Sequence, residues 1–545
     1  MPSFFNADRF RNALAFFALF LVTAFANLAF SIRSARLASV PTNDDVGYLV
    51  DALDRVMFAG DGLWSMLRSM VVDPPHAPVV TLTGAFGFWA FGPEPIAAYI
   101  ANLWVLGLYV ALFARLSRPL GGLLPRALFV AIMLYVPIAH AMVTEFRPDM
   151  AAGLLFAVAL FLGARTDLRR ATWPDLLLII AAAIAATIMK PSGIILVIPA
   201  LCAGLGITLL AQGLLKADGN RALLLRRAIF LAVGYTLALL PFAIVFGRNA
   251  VRYIIQALVT NSDIWVTPGD RWFHWTYHMI GPGAQAALGF FVVPVWCLVV
   301  ADIILYARWP SWRRPGILPY YATLAIVYCA MALSNEKTIY QGSFFYMPIL
   351  LAAAFAFVRM AVALRPRVPR LVPGMLALAL GVCVLFLPMG SSYVQRAIDA
   401  PQSGRLLAGV ADAILDLNRN EWVGHAACNT HVKRVMTLNY EPLTAEVIRF
   451  ALARQGLRVK ADGNYFPRSL DEAMAVVDRV DILVMADPAA PRTNDWLLIG
   501  DYAPEIFRRL SADPEIRRIQ VGTYLAKPFW MFVKPQCAAA AKPSG

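Results

Sequence analysis

Two adjacent carboxylates, Asp44 and Asp45, stand near the start of a polar stretch, residues 42–78, that closes on Asp73, two prolines, His76 and Pro78. Neighbouring carboxylates can divide the work of a general base, one positioning a group while the other takes its proton. Beside low-dielectric lipid such a carboxylate is expected to have a raised pKa, which suits it to accept a proton near neutral pH. Prolines fix the backbone around His76 and so the direction of its ring. Asp149, next to Arg147 in FRPDMAAGLL, stands at the mouth of an apolar run, and an ionisable residue there is a functional candidate by default. Lys190 in MKPSG, Lys337 with Tyr340 and Tyr346, and Arg271 with His274 and His278 in DRWFHWTYH add cations and rings. Such cations bind a lipid phosphate by charge-assisted hydrogen bonds and stabilise its charge as it departs. Each residue also has a plainer reading: a solvated loop for Asp44 and Asp45, an ion pair with Arg147 for Asp149, snorkelling for Lys190, an interfacial aromatic belt around Arg271. The combination is the layout of group transfer from a phosphorylated lipid.

The elements that must position these residues are membrane helices. The chain has 545 residues, 59% hydrophobic and 15% charged, with a mean hydropathy of +0.63. Soluble chains have roughly 45–50% apolar and about 25% charged residues. The formal charge of +14 resides largely in short arginine clusters between apolar runs, a pattern of membrane orientation that argues against a nucleic-acid partner. Candidate spans lie near 12–32, 96–114, 127–143, 150–164, 175–189, 193–213, 228–246, 286–306, 318–333, 347–364 and 371–389. The first is expected to be a retained helix rather than a removed signal. The run Val79 to Phe91 is short. Counted as non-spanning, it puts the loops around Arg118, Arg169, Arg226, Arg313 and Arg367 on the side of the N-terminus, the cytoplasmic side. The segments 42–78, 144–149, 190–193, 248–285 and 334–346 then open on the opposite face, together with the tail.

The tail changes character. RVMTLNY (434–440) and VDILVMAD (480–487) read as buried strands, AEVIRFALARQG (445–456) and DEAMAVVDRV (471–480) as amphipathic helices. The expected organisation is a membrane domain over 1–389, with a loop and interfacial helices at 42–92 on the outside face, and an α/β domain over 390–545 on the same side. Cys428 and Cys537 could pair outside the cytoplasm. No phosphate-binding glycine loop occurs in the tail.

The motifs carry a resemblance. DDVGY and AGDG, then HAPV at 76–79 with Gly92 of a Phe-Gly pair fourteen residues beyond Pro78, resemble the GT-C superfamily of polyprenyl-phosphate-dependent glycosyltransferases. The chain looks most like the branch of protein O-mannosyltransferases and the lipid A aminoarabinose transferase. Asp149 opening a span, Lys190 in a Lys-Pro turn, and the basic-aromatic segment Lys337 to Pro348 match later family motifs. Ala77 and Asp45 depart from the family's Pro and commoner Glu, so the base remains Asp44 or Asp45.

The resemblance implies a GT-C-like polytopic α-helical membrane protein of about eleven spans with a C-terminal soluble α/β domain. It implies a glycosyltransferase of the bacterial inner membrane, moving a sugar from a polyprenyl-phosphate lipid to a cell-envelope acceptor. Asp44, Asp45 and Asp149 would be catalytic; His76, Lys190, Lys337 and Tyr340 would bind donor phosphate. Asp73, Arg147, Arg271, His274 and Tyr346 are further candidates. Asp45, Asp73 and His76 offer donors for a divalent ion, but no metal or other cofactor is assigned. The alternatives are a lipid or glycan flippase, which would need charges near midspan and paired broken helices, and a non-catalytic assembly scaffold.

Overall fold

The computed structural model describes residues 7–34, 36–38, 44–58, 60, 62–214, 221–260, 263, 266–313, 316–368, 370–385, 391–422, 432–438, 443–462, 466–488 and 498–535. In chain order the helices are α1 (Ala7–Ser34), α2 (Asp44–Met57), α3 (Leu63–Val72), α4 (Pro78–Phe91), α5 (Pro95–Ala101), α6 (Trp104–Leu116), α7 (Leu123–Leu134), α8 (Pro137–Thr144), α9 (Pro148–Arg165), α10 (Trp173–Met189) and α11 (Ile194–Ala211). They continue with α12 (Arg221–Ile255), α13 (Arg271–Thr276), α14 (Pro282–Leu288), α15 (Val292–Arg308), α16 (Ile317–Leu333), α17 (Ile339–Leu364), α18 (Leu371–Leu385), α19 (Ser391–Leu417), α20 (Ala445–Arg454), α21 (Leu470–Val477) and α22 (Ile499–Ala512).

Among the described residues every expected span is built of helix, but not every one has the length to cross. Seven stretches do, by length and apolarity: Phe10–Ser34, Pro95–Leu116, Pro148–Arg165, Pro191–Ala211, Arg221–Ile255, Pro282–Arg308 and Ile339–Leu364. The pair α7 and α8 makes an eighth if its 68° bend is one broken span; Pro137 cannot donate to the preceding turn, and its ring keeps Val136 extended. Helices α10 and α16 have 17 residues each and α18 has 15. At 1.5 Å per residue, 17 residues reach about 26 Å, slightly short of the roughly 30 Å hydrocarbon core. Helix α4, with 14 residues, starts at Pro78 and stops at Gly92, whose φ of 91° suits glycine. It reaches only about 21 Å and packs against α2 and α5.

Close helix approaches set the positions of the polar residues. A Cβ on Gly153 of α9 would lie 2.5 Å from the Ser343 carbonyl oxygen of α17. Its absence brings the N-terminal turns of these helices together, and Ser343 Oγ donates to the Asp149 carbonyl at 2.8 Å. A Cβ on Gly84 of α4 would meet Ala52 Cβ of α2 at 2.7 Å. Leu49 and Leu53 of α2 are fully buried, each contributing about 1.5–3 kcal/mol by removal from water.

The tail carries a mixed five-stranded sheet of β1 (Arg434–Thr437), β2 (Lys460–Asp462), β3 (Ile482–Ala486), β4 (Arg517–Tyr524) and β5 (Lys527–Val533), in the order β2-β1-β3-β5-β4. Strand β1 is parallel to β2 and β3; β5 runs antiparallel to β3 and β4. The expected strands and helices at 434–440, 480–487, 445–456 and 471–480 appear as β1, β3, α20 and α21. The hairpin β4–β5 turns at Leu525 and Ala526, both at positive φ, so its turn lacks the usual glycine signature. Helix α19 packs on β4, and α20 packs on α2.

Candidate active site

Helix periodicity separates the two adjacent carboxylates. Asp45 shares a stripe with Leu49 and Leu53, each four residues on, whereas Asp44 shares one with Tyr48 and Asp51. Asp45 is accordingly buried, while the Asp44 side chain is 68% exposed. Arg147, just ahead of α9, holds both: its Nε donates to Asp45 Oδ1 at 2.6 Å and its Nη1 to Asp44 Oδ2 at 3.1 Å. Asp45 Oδ2 accepts from Tyr99 OH at 3.0 Å and from the Phe146 amide at 3.3 Å. The Arg36 guanidinium lies 4.0 Å away. Burial would raise the Asp45 pKa, but Arg147 and then Arg36 outweigh it and hold the carboxyl below its ordinary range. The expectation of a raised pKa therefore fails for Asp45, because an opposite charge in contact outweighs low dielectric.

A second group adjoins the first. Asp149 opens α9 and accepts a hydrogen bond from Lys190 Nζ, in the turn between α10 and α11. The His76 ring lies 4.1 Å, centroid to centroid, from Tyr253 near the end of α12, and 6.4 Å from Tyr48 of α2. Burial first, and the Lys190 cation second, lower the His76 pKa to about 4, so the imidazole is neutral at pH 7. Burial raises the Tyr48 phenol well above its usual value, with the charges of Asp149 and Asp44 adding to it. Segments before α4, at α2, α9, α10 and α12 thus meet at one place.

A third layer rests on Tyr340, in the first turn of α17. Arg147 lies over its ring at 3.9 Å, and Arg36 Nη2 donates to its hydroxyl at 3.3 Å. That hydroxyl donates to Glu145 Oε1 at 3.5 Å, and Arg36 Nη2 stands 3.8 Å from the same oxygen. Burial, then the charge of Asp45, raises the Glu145 pKa to about 6. Arg36 Nη1 and Glu145 Oε2 are buried without a hydrogen-bond partner among the described residues.

Arg36, Tyr48, Tyr99, Glu145 and Tyr253 were not among the sequence candidates. Glu145 lies in the TEFRPD segment that the topology put on the site's face, and Tyr48 one turn after Asp44. Arg36 and Tyr253 carried no comparable signal.

Other candidates are held elsewhere. Lys337 turns inward and donates to the carbonyls of Met331 at 2.6 Å and Ala332 at 2.9 Å, capping the end of α16; burial lowers its pKa to about 8. Tyr346 is buried with His278, hydroxyl to Nδ1 at 2.7 Å. The Asp73 side chain is 86% exposed, and its carbonyl accepts from Arg55 at 2.6 Å. Arg271 and His274 lie on the short helix α13, which Asp270 caps through the Phe273 amide at 2.7 Å and which packs on α16. Among the described residues no three His, Cys, Asp or Glu side chains gather as a metal cluster, and Asp45 and Asp73 are each engaged with an arginine. Cys428 and Cys537 lie outside the described residues.

No protein-family model and no curated protein matches the chain. Among solved structures it is similar to ArnT from Cupriavidus metallidurans bound to undecaprenyl phosphate, over 98% of this chain and 99% of that one, with a TM-score of 0.55 and 14% identity. ArnT in its apo state matches over 98% of this chain and 100% of that one, at a TM-score of 0.53 and 15% identity. The GT-C-like architecture, with polytopic membrane helices and a C-terminal sheet domain, is therefore the fold of this chain.

Proposed function

We propose that the chain is a membrane glycosyltransferase that moves a sugar from a polyprenyl-phosphate donor to a cell-envelope acceptor. The reading places this on the periplasmic face of a bacterial inner membrane, with the N-terminus in the cytoplasm and the tail domain in the periplasm. The observation that carries it is the meeting of one exposed carboxylate, Asp44, with the cations Arg147 and Lys190 and the ring of His76, in the fold of a chain crystallised with undecaprenyl phosphate.

In this reading Asp44 is the base. Asp45 has both oxygens engaged and a lowered pKa, which suits it to anchor Arg147 rather than to take a proton. The acceptor's hydroxyl or amine attacks the anomeric carbon and loses its proton to Asp44. The bond from that carbon to the phosphate oxygen breaks with inversion, and the polyprenyl phosphate leaves with the bonding pair. Lys190 and Arg147 supply the positive charge that stabilises it, and neutral His76 supplies an N–H. Asp149 orients Lys190, and Tyr340 supports Arg147 from below its guanidinium plane. Lys337, committed to two carbonyls, drops out of the phosphate set.

The test is release of undecaprenyl phosphate from sugar-linked undecaprenyl phosphate by the purified protein in nanodiscs, with mass spectrometry of envelope glycolipids and glycoproteins from a deletion strain. Turnover that requires Asp44, together with loss of one sugar unit from the envelope, supports the reading. Unchanged envelope glycans, or full turnover by Asp44→Asn, reject it.

A further inference from the structure

We propose that the tail domain clamps α2, the helix carrying Asp44 and Asp45, and that Arg449 of α20 is the positioning residue of this clamp. The inference assigns the tail a task that the transfer chemistry leaves open, and its activity arm rests on the proposed function.

Helix α2 has two working faces. Asp44, Asp45 and Tyr48 point to the candidate site, and Ala52, two turns beyond Asp45 on the same side, packs against Gly84 of α4. The opposite side, which carries Asp54, meets α20. There Arg449 Nη2 donates to Asp54 Oδ2, with side-chain exposures of only 27% and 10%. A charge pair so far removed from water holds its partners more firmly than a surface pair does.

The same tail segment touches the surroundings of α2 at three more points. Phe450 lies 6.1 Å from Phe88 of α4, ring to ring. Arg458 lies 5.6 Å from the ring of Phe58, the residue after α2. Arg454 pairs with Glu94, between α4 and α5. Helix α20 is itself fixed within the tail: Thr444 caps it by accepting from the Val447 amide at 3.3 Å, and it packs on α19, β1 and β2. The tail thus grips α2, its exit and the helix packed beside it.

Asp54 lies ten residues beyond Asp44, about 15 Å along the helix axis. Arg449 therefore cannot reach the reacting atoms and acts only through the helix. A rigid helix carries a tilt from one end to the other, and a shift of about 1 Å at a reacting group can cost roughly a hundredfold in rate.

The experiment uses the full-length protein in lipid nanodiscs and amide hydrogen exchange over residues 44–57, 482–486 and 527–533. Arg449→Ala and, from the other side, Asp54→Asn are expected to speed exchange over 44–57 by about tenfold or more, while the two tail strands keep wild-type protection. Arg449→Lys is expected to retain most of the protection. In the transfer assay the first two variants lower kcat and leave KM for sugar-linked undecaprenyl phosphate unchanged. If Arg449→Ala opens the tail strands as well, Asp54→Asn, which alters no tail residue, decides. Wild-type exchange over 44–57 in Asp54→Asn overturns the clamp, and so does loosening of helix and strands together in that variant. Exchange does not depend on turnover. A loosened α2 in a protein that transfers no sugar rejects the proposed function and keeps the clamp; transfer with an unaltered α2 rejects the clamp alone.

Discussion

Among the described residues, two carboxylates are fully buried among the helices, and they are held in nearly the same way. Asp45 accepts from Arg147 at 2.6 Å, Tyr99 at 3.0 Å and the Phe146 amide at 3.3 Å. Asp302 of α15 accepts from Arg359 at 2.8 Å, Trp312 Nε1 at 2.9 Å and Tyr321 at 3.0 Å. Arg359 stacks over Trp312 at 4.4 Å, as Arg147 stacks over Tyr340 at 3.9 Å. The neighbours differ. Around Asp45 stand exposed Asp44, Glu145 with a raised pKa, Arg36 and the Asp149–Lys190 pair. The cleft beside Asp302, with about 270 Å³ of open volume, is walled mainly by Phe161, Ile317, Tyr320, Ala352 and Phe355, and its one other ionisable residue besides the tyrosines, Arg165, stacks on Phe161 and Phe355. A buried Arg–Asp pair is therefore no mark of a site. The mark is the surplus of ionisable groups it leaves facing a common space, and at Asp302 the pair ties α15, α16 and α17 together.

The largest test of this contrast is in turnover. Asp44→Asn is expected to lower the transfer rate by about 10²- to 10⁴-fold while leaving the melting temperature near wild type. Asp302→Asn is expected to leave the rate per folded molecule unchanged; if it abolished turnover without unfolding the protein, the contrast would collapse. Next comes stability. Asp302→Ala removes the acceptor of three buried hydrogen bonds, from Arg359, Trp312 and Tyr321, and is expected to cost about 3–5 kcal/mol in denaturation.

Binding separates two lysines that look alike in sequence. Lys190→Ala is expected to weaken binding of undecaprenyl phosphate by about 10- to 100-fold, the range for a hydrogen bond to a charged group. Lys337→Ala should leave that affinity unchanged and lower the melting temperature, since its ammonium serves two carbonyls. Equal loss of affinity in both variants would return Lys337 to the phosphate set.

The smallest effect is in pH. Burial raises the Glu145 pKa from 4.5 to about 6, so between those values the folded protein holds a proton that the unfolded chain has released. That term makes stability fall as pH rises through the window. The difference in melting temperature, wild type minus Glu145→Gln, should therefore decline from pH 4.5 to 6 and level off above. A difference that rises with pH would show that Arg36 and Arg147 stabilise the Glu145 carboxylate in the fold.

Much of this was legible in the chain. Among the described residues the eleven apolar runs are built of helix, since a backbone in lipid has to satisfy its own hydrogen bonds. The short run before Gly92 was separated from the spans by the arginine pattern rather than by its length. Even the division between Asp44 and Asp45 was present in the spacing, because Asp45 repeats with Leu49 and Leu53 at intervals of four. Lys337 was not legible: a lysine near a helix end can cap carbonyls or face a ligand, and rotamer and packing decide between them. Arg36 and Tyr253, 217 positions apart, enter only because the packing of distant segments brings Arg36 to Asp45 and Tyr340, and Tyr253 to His76.

The sequence by itself determined the membrane class, the helices, the α/β tail and the acidic pair at the head of α2, because these follow from local hydrophobicity and periodicity. Tertiary structure decided that Arg147 engages both carboxylates, which lysine keeps a carboxylate partner, and that the tail reaches back to α2. Those outcomes depend on the direction of side chains and the contact of distant segments, which no local pattern encodes.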